Sequence, residues 1–137
     1  MTEHLLDQRI RNRIIEYLAL AASFGEQSAY QAVAPRVHIP NEVINQWEDW
    51  VRPDWRDELI APTFSSAEIE AIGRFYVVWE AVAAATPDPL PALPALLETP
   101  QWQRLASAAA EALVVFNHRG RLPEDEGGPA DGAVSSS

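Results

Sequence analysis

Apolar residues recur every three or four positions along most of this chain, the spacing of helices that bury one face. The densest stretch runs from Ser65 to Thr86, SSAEIEAIGRFYVVWEAVAAAT. It reads as one helix with apolar residues almost all the way round, which predicts a central rod packed on several sides. Its start is well marked. Ser65 can cap the helix, Glu68 completes a capping box, and Phe64 and Ile69 sit where a hydrophobic staple needs them. Pro87 predicts its end, because the residue before a proline is pushed out of the helical region.

Residues 4–24 predict a first helix. Leu6, Ile10, Ile14, Tyr17, Leu18, Ala21 and Phe24 share one face of the wheel, and Gly25 reads as the stop. Arg9, Asn12 and Glu16 fall on the opposite face with Arg13 at its margin. Asp7 and Arg11 stand one turn apart, as an ion pair requires. Ile15 and Leu20 fall outside the main stripe and could form a second contact surface. Residues 26–34 predict a short helix stopped near Pro35. Asn41 is the expected cap of a helix reaching Arg52, with Val43, Ile44, Trp47, Trp50 and Val51 on its apolar arc. Trp47 lies inside that arc and Trp50 at its edge, so Trp47 is expected in the core and Trp50 half exposed. Pro53 breaks this helix, and Trp55 follows in an acidic turn, DWRDE.

Beyond Pro87 the segment PDPLPALPALLETP is too rich in proline for a regular helix at its start, with one short helical turn expected over 92–98. Thr99 caps a last helix with Pro100 at its first position. Trp102, Leu105, Ala106, Ala109, Leu113 and Phe116 align on it, and the alanines permit close approach of another helix. Gly120 closes it. The fold class that follows is all-α: a compact bundle of four main helices plus two short ones. Residues 1–121 form a single domain on this reading, and residues 122–137 a disordered acidic tail, since PEDEGGPADGAVSSS lacks periodicity and large apolar residues.

Composition narrows the functional classes. The 137 residues include no cysteine, which removes disulfides, thiolate metal sites and cysteine nucleophiles. No segment has the length and apolarity of a membrane span, and the first residues carry charge where a signal peptide needs an apolar run. A cytoplasmic address is the expectation. The net charge is −10, with every one of the ten cations an arginine, in keeping with the codon bias of an alanine- and proline-rich genome of bacterial type. Such acidity disfavours nucleic acid and anionic membranes and suits a basic protein partner.

The acidity is concentrated. Residues 41–58 hold six carboxylates against two arginines, and three of the five tryptophans. This predicts a protein-binding patch with Trp50 and Trp55 as aromatic anchors and Glu48, Asp49, Asp54 and Asp57 as an acidic rim. The competing expectation is that the indoles belong to the core and the acids are a solvated face.

Two further constellations are weaker. Ala34, Val37, Ile39, Ile44 and Trp47 match the apolar spacing of a helix-turn-helix. Pro35 interrupts its first helix, His38 replaces the usual turn glycine, and Glu42, Glu48 and Asp49 would repel phosphates. On the central helix, Glu70 and Arg74 can pair one turn apart. Glu80 needs a partner if that helix is enclosed, with Arg13 the expected one, or else it serves a small-molecule or catalytic cleft with Tyr76 and His38. An apolar pocket among Tyr17, Phe75, Tyr76 and Trp79 belongs to the same reading. The three histidines share no metal-binding spacing, and no phosphate loop or nucleophile motif occurs. No metal, cofactor or catalytic residue is assigned. The leading expectation is a small regulatory or protein-binding module; homo-oligomerisation through Ile15 and Leu20 is a further option.

Overall fold

The computed structural model describes residues 3–86 and 91–122, with side chains described from residue 6 onward. Pro87, Pro89, the side chain of His4 and positions 123–137 of the expected tail lie outside the described residues. The architecture is all-α. Seven helices and no strand occur among the described residues: α1 Glu3–Ala22, α2 Phe24–Val33, α3 Ile39–Trp50, α4 Trp55–Glu58, α5 Ser66–Ala85, α6 Leu93–Leu96 and α7 Pro100–Asn117. The acidic turn DWRDE is therefore itself one turn of helix, α4.

Several boundaries follow from local signals. The α5 capping box is complete: Ser65 Oγ accepts from the Glu68 N–H, and the Glu68 carboxylate accepts from the Ser65 N–H. Thr99 caps α7 by accepting from the Trp102 N–H, with Pro100 behind it. Gly120 closes the turn after α7 at φ 72°, a left-handed conformation that favours glycine.

Two boundaries differ from the sequence expectation. Gly25 does not stop the first helix; it lies inside α2. The break falls at Ser23, whose Oγ caps α2 through the Glu26 N–H. The terminal carbonyls of Leu20 and Ala21 are met instead by the buried amide of Gln27. Asn41 does not cap α3; the cap is His38, three residues earlier, without a side-chain bond. Gln31 of α2 takes over, accepting from the Ile39 N–H and donating to the Ala34 and Val37 carbonyls.

The helix at the centre is α7, not α5. It packs extensively on both α5 and α1, and α1 packs in turn on α3. The alanine stripe explains the choice: Ala109 and Ala112 are buried between neighbours and let two backbones come close. By contrast α5 is not an enclosed rod. Glu70, Arg74, Val77, Glu80, Ala81 and Ala84 all face outward, Val77 at 64 % exposure. Much of its apolar character is alanine, which loses little by exposure. Glu80 is therefore solvated and the expected Arg13–Glu80 pair does not form; Arg13 pairs with Glu16 at 3.2 Å on its own helix. The Glu70–Arg74 pair is present at 3.8 Å, on exposed side chains. An exposed pair of this kind contributes little.

The core joins α1, α3, α5 and α7. Tyr17, Trp47 and Phe75 form its aromatic centre, with Trp47 and Phe75 edge to face at 4.7 Å between ring centroids. Ile15, expected at a second contact surface, is buried here as well, and Leu20 packs half-buried against the same cluster. Trp102 is tied in by its indole N–H, which donates to Gln27 Oε1 at 2.9 Å.

One end of the bundle is held by a polar node. Glu68 of α5, 1 % exposed, receives Arg11 of α1 at 2.7 Å and Arg119, just past α7, at 2.6 Å. Arg11 is itself fully buried and also donates to the carbonyls of Phe116 and Gly120. It does not pair with Asp7. Arg119 adds bonds to the carbonyls of Pro62 and Thr63. Asn12, expected on the solvent face, is buried beside this node. Its side-chain amide donates to the Leu122 carbonyl at 2.8 Å, and its oxygen accepts from the Leu122 N–H at 2.9 Å. Leu122, expected as the first tail residue, is thus fixed to α1.

Candidate functional site

The C-terminal end of α3 and the turn after it build the most distinctive part of the surface. Val51 ends α3 in an extended conformation, its N–H donating to the Trp47 carbonyl. Pro53 prevents continuation and the chain turns back. Trp55 then anchors the return. It is only 5 % exposed, with its ring edge 3.7 Å from where a Cβ on Gly73 of α5 would lie. The guanidinium of Arg56 covers the same ring at 4.3 Å. Trp55 is therefore a core residue rather than an interface anchor. The edge position it occupies gave no wheel face to read, because α4 is a single turn.

Anchoring Trp55 brings the end of α4 towards the first turns of α1. Between them lies a groove of about 410 Å³, walled by Leu6, Asp7 and Ile10 of α1, Asp49 and Trp50 of α3, Arg52, and Glu58 and Leu59. Trp50 is half-buried, as its wheel position predicts, and Leu6 is 49 % exposed. Leu6 had been expected on the core stripe of α1. It extends beyond the end of that stripe and furnishes part of the groove wall instead.

The residues of the expected acidic patch separate. Asp49 and Trp50 line the groove. Glu48 lies on another flank of α3, near Tyr76 and Glu80: burial first, and then the nearby carboxylates of Glu80 and Glu48, push the Tyr76 hydroxyl above its ordinary pKa. Asp54 and Asp57 are exposed but do not line the groove. Leu6, Asp7, Ile10, Glu58 and Leu59 join Trp50 only through tertiary packing. Glu58 could have been suspected from the acidic run; the α1 residues carry no signal that pairs them with it.

The cleft expected around Glu80, Tyr76 and His38 has no counterpart in the arrangement of those groups. Tyr76 stands edge-on to Trp47 and Trp79 at 6.0 and 5.6 Å. The Tyr17 hydroxyl donates to the Val43 carbonyl, and the Trp79 indole to that of Ile44. Burial pushes the Tyr17 hydroxyl far above its ordinary pKa. These rings are a packed aromatic cluster rather than pocket walls. His38 instead borders a shallow recess with Gln31, Val37, Leu93 and Pro94, to which neither Tyr76 nor Glu80 contributes.

A further groove of about 310 Å³ runs between α5 and α7 over Ala71, Ala108 and Ala112. Its rim carries both signs, Arg74 and Arg104 beside Glu111, and its floor is largely methyl groups. It offers no aromatic anchor beyond the buried Phe75. Among the described residues no group of histidines and carboxylates is placed to hold a metal ion, and no helix is long and apolar enough to cross a membrane. Among the described residues, Glu68 is the carboxylate whose pKa departs clearly from its ordinary value. Burial pushes its pKa up, but hydrogen bonds from Arg11, Arg119 and the Ser65 backbone outweigh it and hold the group below the usual carboxylate range. With every oxygen committed to those donors, Glu68 is a structural group.

No family model matches the chain, and neither a curated protein nor a solved structure matches it.

Proposed function

We propose that this protein is a protein-binding module that acts through the groove beside Trp50 and carries no catalysis of its own. The observation that supports the reading is a groove in which Leu6, Ile10, Trp50 and Leu59 lie among Asp7, Asp49, Arg52 and Glu58, with the tryptophan half-buried and Leu6 exposed. A concave apolar surface with charge at its edge is the form protein interfaces take, and tryptophan is enriched among the residues that dominate their energetics. Trp50 is the anchor in this reading, and Trp55 is a core residue that fixes α4 against α5. The net charge of −10 adds attraction for a basic partner at long range.

The reading is tested by selecting displayed peptides against the whole chain, with counter-selection against Trp50→Ala. Peptides that bind wild type are expected to lose affinity by a factor of about 30 on Trp50→Ala, the effect of truncating a hot-spot tryptophan by ~2 kcal/mol. Because Trp50 also touches the core, Leu6→Ser serves as a second variant at an exposed position. A selection that enriches nothing over the two variants, while both keep the wild-type helical spectrum, would refute the groove as a binding site.

A further inference from the structure

The chemistry of the partner can be read from the charges in the groove wall. Asp49, Glu58 and Arg52 all line it, yet none of them makes an ion pair among the described residues. Elsewhere on the surface some opposite charges meet, whereas Arg36, Arg104, Glu98 and Glu111 also stand outside any ion pair among the described residues. Arg13 and Arg121 both bind Glu16, and Arg74 reaches Glu70. Around the groove, beside Asp7, the carboxylates of Asp49 and Glu58 and the guanidinium of Arg52 border apolar surface without neutralising one another.

We infer that the groove takes a peptide segment of a basic protein in which one bulky apolar side chain is flanked by two cationic residues, with a single carboxylate set to meet Arg52. The inference rests on the protein-binding reading above. The apolar side chain fills the space between Leu6, Ile10 and Trp50. The cations answer Asp49 and Glu58. Arg52 is what makes the pattern specific. A uniformly cationic segment would place like charge against it, and like-charge contacts at an interface exclude wrong partners. The partner is thus basic overall but mixed in its local pattern, which separates it from a polycationic tail.

Each rim pair is exposed, so removing one cation from a bound peptide is expected to weaken binding about two- to fivefold, with the effect shrinking as salt is raised. The apolar anchor carries the larger share.

The test compares peptide selections on wild type, on Arg52→Glu and on the double variant Asp49→Arg with Glu58→Arg, each on the full chain and each counter-selected with Trp50→Ala and Leu6→Ser. Wild type is expected to enrich an apolar residue with two nearby cations and one acid. Arg52→Glu is expected to exchange that acid for a third cation, and the double variant to exchange the two cations for acids. Peptides that depend on Trp50 but show no charge preference, or the same preference on all three proteins, overturn this inference and leave the binding reading intact. Enrichment of purely polycationic peptides on wild type overturns it as well. If no peptide depends on Trp50 or Leu6, the binding reading fails and this inference fails with it.

Discussion

Glu68 accepts from two arginines and from the N–H of Ser65 while shielded from water. Replacing it with glutamine keeps the shape but sets an amide NH₂ against donors and leaves two guanidinium groups without their anion. Breaking a buried pair in this way costs about 3–5 kcal/mol, so Glu68→Gln should lower the denaturant midpoint sharply. The pH response has a defined sign. The folded-state pKa of Glu68 lies below its unfolded value, so its contribution is fully present above the ordinary carboxylate range near pH ~4.3. That contribution is lost as pH falls through the folded pKa. Denaturation curves from pH 7 downward should therefore steepen below pH ~4 in wild type, with the part due to Glu68 absent in Glu68→Gln.

Gly73 gives a residue-scale prediction of opposite direction. A Cβ there would lie 3.0 Å from Arg56 Nη2, the free end of a flexible exposed side chain, and at ordinary contact distance from the Trp55 ring. Arg56 can shift, and a mid-helix glycine costs roughly 0.5–1 kcal/mol relative to alanine. Gly73→Ala is expected to raise the melting temperature by about 2–4 °C. A lower melting temperature would mean that the Arg56–Trp55 stack matters more than helix propensity.

At the scale of elements, the shared position of α7 sets the most demanding packing. Ala109 is fully buried, whereas Ala110 beside it is exposed. Ala109→Leu should cost about 1–3 kcal/mol by overpacking, and Ala110→Leu should change urea stability little. Equal effects would show that α7 tolerates separation from its neighbours. How far such elements are legible in the sequence depends on where their partners lie. The starts of α5 and α7 were legible because Ser65 with Glu68, and Thr99 with Pro100, act within one turn. The start of α3 was not, because its first N–H is met by Gln31 on another helix. The end of α1 was misread at Gly25 because its carbonyls are met by Gln27, a residue of no special local signature. Arg11 shows the same limit. It sits at the edge of the apolar stripe of α1, between Leu18 and Ile15 on the wheel, and that placement was the available sign of a buried charge. Its partner, 57 residues away, left no local trace.

At the scale of the whole molecule, the proposed reading joins the net charge of −10 to the groove. Asp49 and Trp50 were legible as a pair from one helix, whereas the wall formed by Leu6, Asp7 and Ile10 required the fold. A binding partner found by selection should associate more slowly as ionic strength rises, while the dissociation rate responds mainly to Trp50. Stopped-flow rates at two salt concentrations separate the two contributions. If dissociation carries all the salt dependence, the surrounding charges do not steer the encounter.

The clasp between α1 and residues 116–122 also bears on how the chain matures during synthesis. Arg11 and Asn12 emerge early, but the backbone groups of Phe116, Gly120 and Leu122 that they bind lie more than a hundred residues later. Until those residues have left the ribosome, the first helix holds polar side chains with no place in a dry interior. Its final setting includes those later carbonyls and the Leu122 N–H. The native setting of α1 is therefore complete only once the last helix and the turn after it are present. A chain stopping at Val115 keeps every helix-forming signal of α1 and lacks the carbonyls to which that helix is finally locked.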